Sequence, residues 1–409
     1  MDELMRKYAN VLLKSCLKVK EGQPLFISAN LERLDFVRIV TEIACEMGVK
    51  DIYFDLSDPI IKHTLLKELD EDSLKANQYW KKQKWGEYAA KEAAFLMLAS
   101  ETPGLMKDIN PQKMNNVNMF AQETRKGFDN LRNKGIVPWC IAAVPTLSWA
   151  KEIFPDSENP LEDLWNKIFE ICSIDKDDPE NIWDKKISKL KERSDKLTSY
   201  QFKKLKYTNS LGTDFEIELP KDHIWASGRE TLENGNDYLA NFPTEEVFTS
   251  PTNNSANGIV YSSKPLAYQD NLIKNFWIRF VGGRAVDCGA EEGLETLQTI
   301  IKSCIDSDKL GEVALVEYDS EISQSGLIFY ETLFDENASC HLALGASFPE
   351  CIKDGRKYSV KELEEHNLNQ CKNHVDFMIG TNDLTITGIQ EDGTEVIIFE
   401  NGNFSSIFK

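Results

Sequence analysis

Histidine is scarce in this chain: five in 409 residues, at positions 63, 223, 341, 366 and 374. A mechanism built on imidazole therefore has few places to reside. Basic charge is also short. Lys and Arg total 47 against 67 Asp and Glu, a net charge of −20, and this excludes nucleic acid or an anionic membrane as the main partner, because both attract basic surface. Long apolar runs are missing as well. The longest clean run, Ala93 to Ala99, falls far short of the roughly 20 residues that span a bilayer. The nine cysteines (16, 45, 140, 172, 288, 304, 340, 351 and 371) are odd in number and include no CxxC. That spacing excludes a disulfide framework and a structural zinc knuckle. The expectation is reduced, mostly buried thiols in a cytoplasmic protein. It is supported by an acidic opening, Met1-Asp2-Glu3-Leu4-Met5-Arg6-Lys7, without the basic-then-apolar layout of a signal peptide.

What is present divides the chain in two, as its length suggests. Residues 1–200 alternate helix and strand. Leu4, Tyr8, Val11 and Leu12 form a helical stripe. Pro24–Ser28 reads as a buried strand, a helix follows from about Arg33 to Met47 with Gly48 as its stop, and Asp51–Asp55 reads as the next strand. Strand–helix–strand order implies a right-handed unit of a mostly parallel sheet. Phe95–Ala99 and Ile136–Val144 read as further strands. The turn after the first strand, Ser28-Ala29-Asn30-Leu31-Glu32, holds no glycine, and neither GxGxxG nor GxxxxGKS/T occurs in this half. Both features argue against a nucleotide site and for a scaffold. The charge-dense stretch 176–206 reads as a solvated helix and linker. Residues 201–409 are β-rich. Gly212-Thr213, Gly282-Gly283 and Asp392-Gly393 sit between alternating strands as hairpin turns. The expected fold is thus an α/β N-terminal domain with a mostly parallel sheet, followed by a β-rich α+β C-terminal domain, antiparallel and partly barrel-like.

The chemistry lies in the second half. His374-Val375-Asp376 opens a strand-like run. Residues i and i+2 of a strand share a face, so an imidazole and a carboxylate converge there. His341 sits in an apolar strand with Ala343 and Gly345 as small same-face neighbours, leaving space beside the ring. Glu245-Glu246, in an extended segment, point opposite ways. Glu312 opens the otherwise apolar Gly311–Val316, and a buried carboxylate there needs a cation or hydrogen-bonding partners. Taken together, Glu246, Glu312, His341, His374 and Asp376 are nitrogen and oxygen donors without a thiolate, a set that suits Zn²⁺, Co²⁺ or Mn²⁺. Five side chains exceed the three typical of one catalytic zinc and fit a pair of divalent ions. His63, His223 and His366 read as a helix-surface, a structural strand and a solvated residue.

The segments Asn-Phe-Pro-Thr-Glu-Glu-Val-Phe-Thr (241–249), Gly-Glu-Val-Ala-Leu-Val (311–316), Leu-Phe-Asp-Glu-Asn-Ala-Ser-Cys-His-Leu-Ala-Leu-Gly (333–345) and His-Val-Asp-Phe-Met-Ile-Gly (374–380) closely resemble the thermophilic metalloprotease family, M29, the aminopeptidase T, aminopeptidase S and PepS group. Lys20-Xaa-Gly-Gln-Pro-Leu and Val144-Pro-Thr-Leu-Ser-Trp-Ala-Lys-Glu-Ile-Phe-Pro extend the resemblance over the N-terminal half. It implies metal ligands at Glu246, Glu312, His341, His374 and Asp376, a C-terminal catalytic domain, and a homodimer enclosing its active sites in a chamber open to short peptides. The implied activity is removal of N-terminal residues by a water activated between two metals, with Glu246 or Glu312 shuttling a proton and Glu245 a candidate for holding the α-amine. One position departs from the family: its tyrosine seven residues after the first histidine is Phe348 here. Phenylalanine neither ligates nor donates a hydrogen bond. Either water or another tyrosine (Tyr358 or Tyr330) substitutes, or the enzyme is weakened, or the chain is a lapsed or specialised homologue.

Overall fold

The computed structural model describes residues 1–409 apart from 77, 103, 269 and 270 and the side chains of 111 and 115. The chain forms two compact units. One comprises residues 1–184 with 229–243, the other 185–228 with 244–409.

The first unit is an α/β layer structure around a parallel sheet. Its strands are ordered Asn241–Phe242, Trp139–Ala143, Ala94–Ala99, Leu25–Asn30 and Ile52–Ser57, every neighbour parallel. Each local stop has a cause in the sequence. The Asn30 side chain accepts from the Glu32 amide, ending the first strand and capping the turn Leu31–Arg33 that leads into the helix Leu34–Glu46. That helix buries Phe36, Val37, Val40 and Ile43. Asp58 caps the helix Pro59–Glu68 through the Ile60 and Ile61 amides, with Pro59 at its first turn, where a missing N–H costs nothing. Phe26 on the first strand packs against Trp85 and Phe95, ring centroids 4.7 and 4.9 Å apart. Tyr8, fully buried, donates to the Ala143 carbonyl at 3.1 Å. The expected helix–strand alternation is therefore present. The helix over the charge-dense stretch runs from Pro179 to Tyr200.

The second unit is antiparallel. One sheet has eight strands, ordered Arg284–Gly289, Trp277–Val281, Asn257–Tyr261, Asp214–Glu218, Lys204–Thr208, Thr385–Ile389, Glu395–Glu400 and Asn403–Phe404. All three expected hairpins occur in it. A five-stranded sheet is ordered His374–Met378, His341–Gly345, Leu310–Leu315, Val247–Thr249 and Ala226–Ser227, and Leu266–Tyr268 pairs with Asn271–Ile273 as a two-stranded sheet. Hairpin spacing suggests a partly barrel-like domain; the strands instead form open sheets, each with a linear strand order. In the five-stranded sheet Val313, Leu315, Leu342, Leu344, Val375 and Phe377 alternate onto one face and are buried. The residues between them form the opposite face, where the site lies.

Candidate metal centre

Register decides what meets on that face. Glu312 pairs with Ala343, and Ala343 pairs in turn with Asp376. The row across three strands is therefore carboxylate, methyl, carboxylate. The next row in one direction is Ala314–His341–Met378, and in the other Gly345 faces His374. Small residues alternate with functional ones, leaving room above the sheet for two histidines and two carboxylates. Glu246 enters from the segment just before Val247–Thr249, whose neighbour is the Glu312 strand.

Glycine permits the close approach of these strand ends. Gly345 has φ +106°, and a Cβ there would lie 2.0 Å from the Asn373 carbonyl oxygen. Its bareness serves backbone contact with the His374 strand, rather than the space beside the His341 ring that the sequence suggests. A Cβ on Gly311 would lie 2.2 Å from the Gly345 and Ala346 oxygens, at the register shift that precedes Glu312.

Glu246, Glu312, His341 and Asp376 are buried and His374 is partly so. Two overlapping trios result: Glu246, Glu312 and His341, and Glu312, His374 and Asp376, each with one ligand atom per residue and all such atoms within 4.8 Å of one another. His374 Nε2 lies 3.0 Å from Glu312 Oε2 and 3.1 Å from Asp376 Oδ1. His341 Nε2 lies 3.2 Å from Glu246 Oε2. Each imidazole turns its other nitrogen to the backbone: His341 Nδ1 to the Ser339 carbonyl at 3.0 Å and His374 Nδ1 to the Ala346 carbonyl at 2.9 Å. A carbonyl only accepts, so Nδ1 carries hydrogen and Nε2 is the nitrogen aimed into the cluster, the arrangement that orients histidine toward a metal.

The electrostatics follow from crowding. Burial alone would depress His341, yet the adjoining Glu246 outweighs it and lifts the imidazole to about 10. His374 likewise rises well above its usual range despite burial, through Asp376 and Glu312. Burial pushes Glu312 up to about 7 against the attraction of His374. Asp376, whose burial is overcome by His374, stays below its usual range. The partly buried Glu336, at the end of the short helix Thr332–Glu336, is pushed well above the carboxylate range by desolvation and by Asp376 and Glu246. This residue escaped the sequence reading. Its signal was available: an acid five residues before His341, in the same run as Asp335.

Glu245 does turn away from Glu246. Its carboxylate meets Lys186 Nζ at 3.3 Å, and its amide donates to Asn337 Oδ1 at 2.7 Å. It braces the segment that carries Glu246 instead of facing the cluster. Phe348 packs its ring 4.9 Å from the His374 ring and 5.4 Å from that of Phe248. Tyr358 stacks on exposed His366 at 4.9 Å and packs with Ile352, Leu363 and Leu368. His63 contacts Asp108 at 2.6 Å. His223 lies in a turn with one isolated bridge to Ile352, not in a strand, and is fully buried.

This donor set fits a divalent cation on its own chemistry. Three buried carboxylates pair with two imidazoles among the described residues, and the excess negative charge is one that a cation would offset. A buried sheet face of imidazole and carboxylate donors without a thiolate defines the class as a candidate divalent-metal protein. Comparison with known proteins identifies the class member: residues 1–404 match the model of the thermophilic metalloprotease (M29) family, and the chain belongs to that family. It is 37 % identical over 406 residues to Aminopeptidase 2 of Geobacillus stearothermophilus, covering 99 % of this chain and 98 % of that one. It is 35 % identical to Aminopeptidase AmpS of Bacillus subtilis (strain 168), covering 99 % and 100 %. The solved structure of wild-type AmpT from Thermus thermophilus superposes with a TM-score of 0.90 at 28 % identity, over 98 % of this chain and 99 % of that one.

Proposed function

We propose that this protein is a metal-dependent aminopeptidase that removes N-terminal residues from short peptides, using two divalent ions (Zn²⁺, Co²⁺ or Mn²⁺) held by Glu246, Glu312, His341, His374 and Asp376. The observation that carries this reading is the pair of overlapping trios with Glu312 in common, in a chain whose relatives are named aminopeptidases. A bound metal pair activates water and polarises a carbonyl. The protein's own residues do the rest. The Ser339 and Ala346 carbonyls fix the two imidazoles. Glu312, common to both trios, is the carboxylate assigned to take a proton from water and return it to the leaving amine. Glu246 is its alternate, and Glu336 a further carboxylate beside the cluster. The acidic face favours a cationic α-amine. A homodimer in a reducing cytoplasm completes the proposal.

Phe348 favours a second reading, a weakened or catalytically lapsed metal-binding homologue. Its ring lies against His374 and brings no hydroxyl, and loss of one oxyanion donor costs about 10²–10³ in rate.

The test combines elemental analysis of the purified chain with a leucyl or methionyl anilide assay, with and without chelator. Two ions per chain and activity lost on chelation are expected. Turnover indifferent to chelator sinks the enzymatic proposal; two ions without turnover favour the lapsed homologue.

A further inference from the structure

The Cys304 and Cys371 sulfurs lie 2.7 Å apart although the residues are 67 positions apart in sequence. They sit where two loops cross, and hydrogen bonds tie the loops on both sides of the thiols. Asn373 Nδ2 donates to Ser303 Oγ at 2.7 Å, and Asn369 Nδ2 donates to the Asp306 carbonyl at 2.9 Å. Within the loops, the Cys304 amide donates to Ser307 Oγ and the Cys371 amide to Asn369 Oδ1. The two backbones are thus held at this separation independently of the sulfurs. Cys304 is partly exposed and next to Ile305, which is 87 % exposed; Cys371 is buried. One sulfur is reachable from solvent and the other waits behind it.

We propose that Cys304 and Cys371 are a reversible oxidation site that closes to a disulfide and braces the loop leading to His374. A disulfide needs its sulfurs at about 2.05 Å, so closure asks for a movement well under 1 Å. The oxidant class is a low-molecular-weight disulfide. The Cys304 thiolate attacks one of its sulfurs, forming a mixed disulfide and releasing one thiolate, which takes up the proton Cys304 lost. The Cys371 sulfur then attacks the Cys304 sulfur, breaks the mixed bond, and its proton goes to the second departing thiolate. Two protein thiols lose two electrons, and one small disulfide becomes two thiols. Burial holds the Cys371 thiol up at about 12, consistent with Cys304 attacking first. Cys16 and Cys140 also neighbour one another, but both are fully buried in the first unit and closed to an oxidant.

The bond would act on the site through backbone. The Asn373 carbonyl accepts from the Ala346 amide at 2.7 Å, and the Ala346 carbonyl accepts from His374 Nδ1. Cross-linking at Cys371 fixes the segment that sets this chain of contacts. The inference rests on the thiols and their loops, whether or not the cluster holds metal.

The full chain is incubated with excess oxidised glutathione, trapped with a maleimide, digested without reductant and mapped by mass spectrometry. A peptide linking Cys304 to Cys371 should appear, Cys304 labelling should fall at least tenfold, and dithiothreitol should restore it. Unchanged Cys304 labelling, or a stable glutathione adduct on Cys304 with Cys371 still free, overturns the pairing. Oxidised protein should melt roughly 5 °C above reduced protein, and C304S should show no oxidant-dependent shift. Identical melting of the oxidised and reduced forms overturns the bracing role.

Discussion

The parallel sheet of the first unit ends its Leu25–Asn30 strand in a turn filled by its own polar groups: Asn30 bonds the Glu32 amide, and buried Arg33 pairs with Asp35. The five-stranded sheet of the second unit ends no such way. It spreads two histidines and two carboxylates over one face, with Glu246 at its margin. Connection rules explain the difference. Parallel strands are joined by crossover helices that cover both faces with apolar side chains. Antiparallel strands follow one another through shorter links, and strict alternation lets one face stay polar while the other is core. Both candidate metal trios found among the described residues lie in the second unit. The antiparallel unit is therefore the one whose architecture leaves a polar sheet face for both candidate trios.

The contrast breaks most visibly by mutation. Glu312 belongs to both trios, so Glu312→Gln should cost metal and activity by more than the 10–100-fold typical of losing an outer partner, with little change in melting. Phe26→Ala in the first unit should do the reverse: about 3–5 kcal/mol of stability lost, read by denaturant unfolding, with unchanged metal per folded chain. If Phe26→Ala strips metal from folded protein, the division of labour is wrong.

Phe348→Tyr places a phenol beside His374. A gain of up to about 10² in kcat is expected, measured with a leucyl anilide at saturating metal. No gain means that the missing hydroxyl is not what limits the site.

Metal affinity should climb with pH. In the metal-free cluster His341 holds its proton up to about 10 and Glu312 up to about 7, and an incoming cation must displace these protons. Affinity should rise about tenfold per pH unit for each proton displaced, with the steeper slope below pH 7, where Glu312 adds its proton to those of the two imidazoles. Titration calorimetry in buffers of different ionisation enthalpy reads the released protons directly.

An effect on stability alone concerns His223, whose burial lowers it to about 4. Its unfolded value is about 6.5. The unfolded chain binds the proton first as pH falls, so stability is present above pH 6.5 and lost progressively toward pH 4, on the order of 3 kcal/mol. His223→Gln should flatten that slope in acid-unfolding curves while leaving metal content unchanged.

Much of this was legible in one dimension. The alternation around Glu312, His341 and Asp376 announces which side chains share a face, because a strand's period is two. The hairpin glycines announce antiparallel neighbours. Gly48 marks the end of a helix, where its backbone takes φ +86°. Other features were not legible. Nothing local says that residues 229–243 return to the first unit, since membership in a core is a matter of long-range packing. Hairpin texture cannot tell an open sheet from a barrel, because closure depends on which edge strands meet. Glu336 went unnamed because the charged groups around it come from distant strands, and Tyr358, one expected substitute for the family's tyrosine, stacks on His366.

By itself, the sequence determined the donor chemistry: nitrogen and oxygen groups, two of five histidines, no thiolate pair at ligand spacing, and the absence of a hydroxyl at Phe348. Those are properties of residue type and local period. Tertiary structure alone decided that Ala343 separates Glu312 from Asp376, that Glu245 is taken by Lys186, and that Cys304 meets Cys371. Each depends on register between segments distant along the chain, and register is set by the packing of the whole sheet rather than by any one strand.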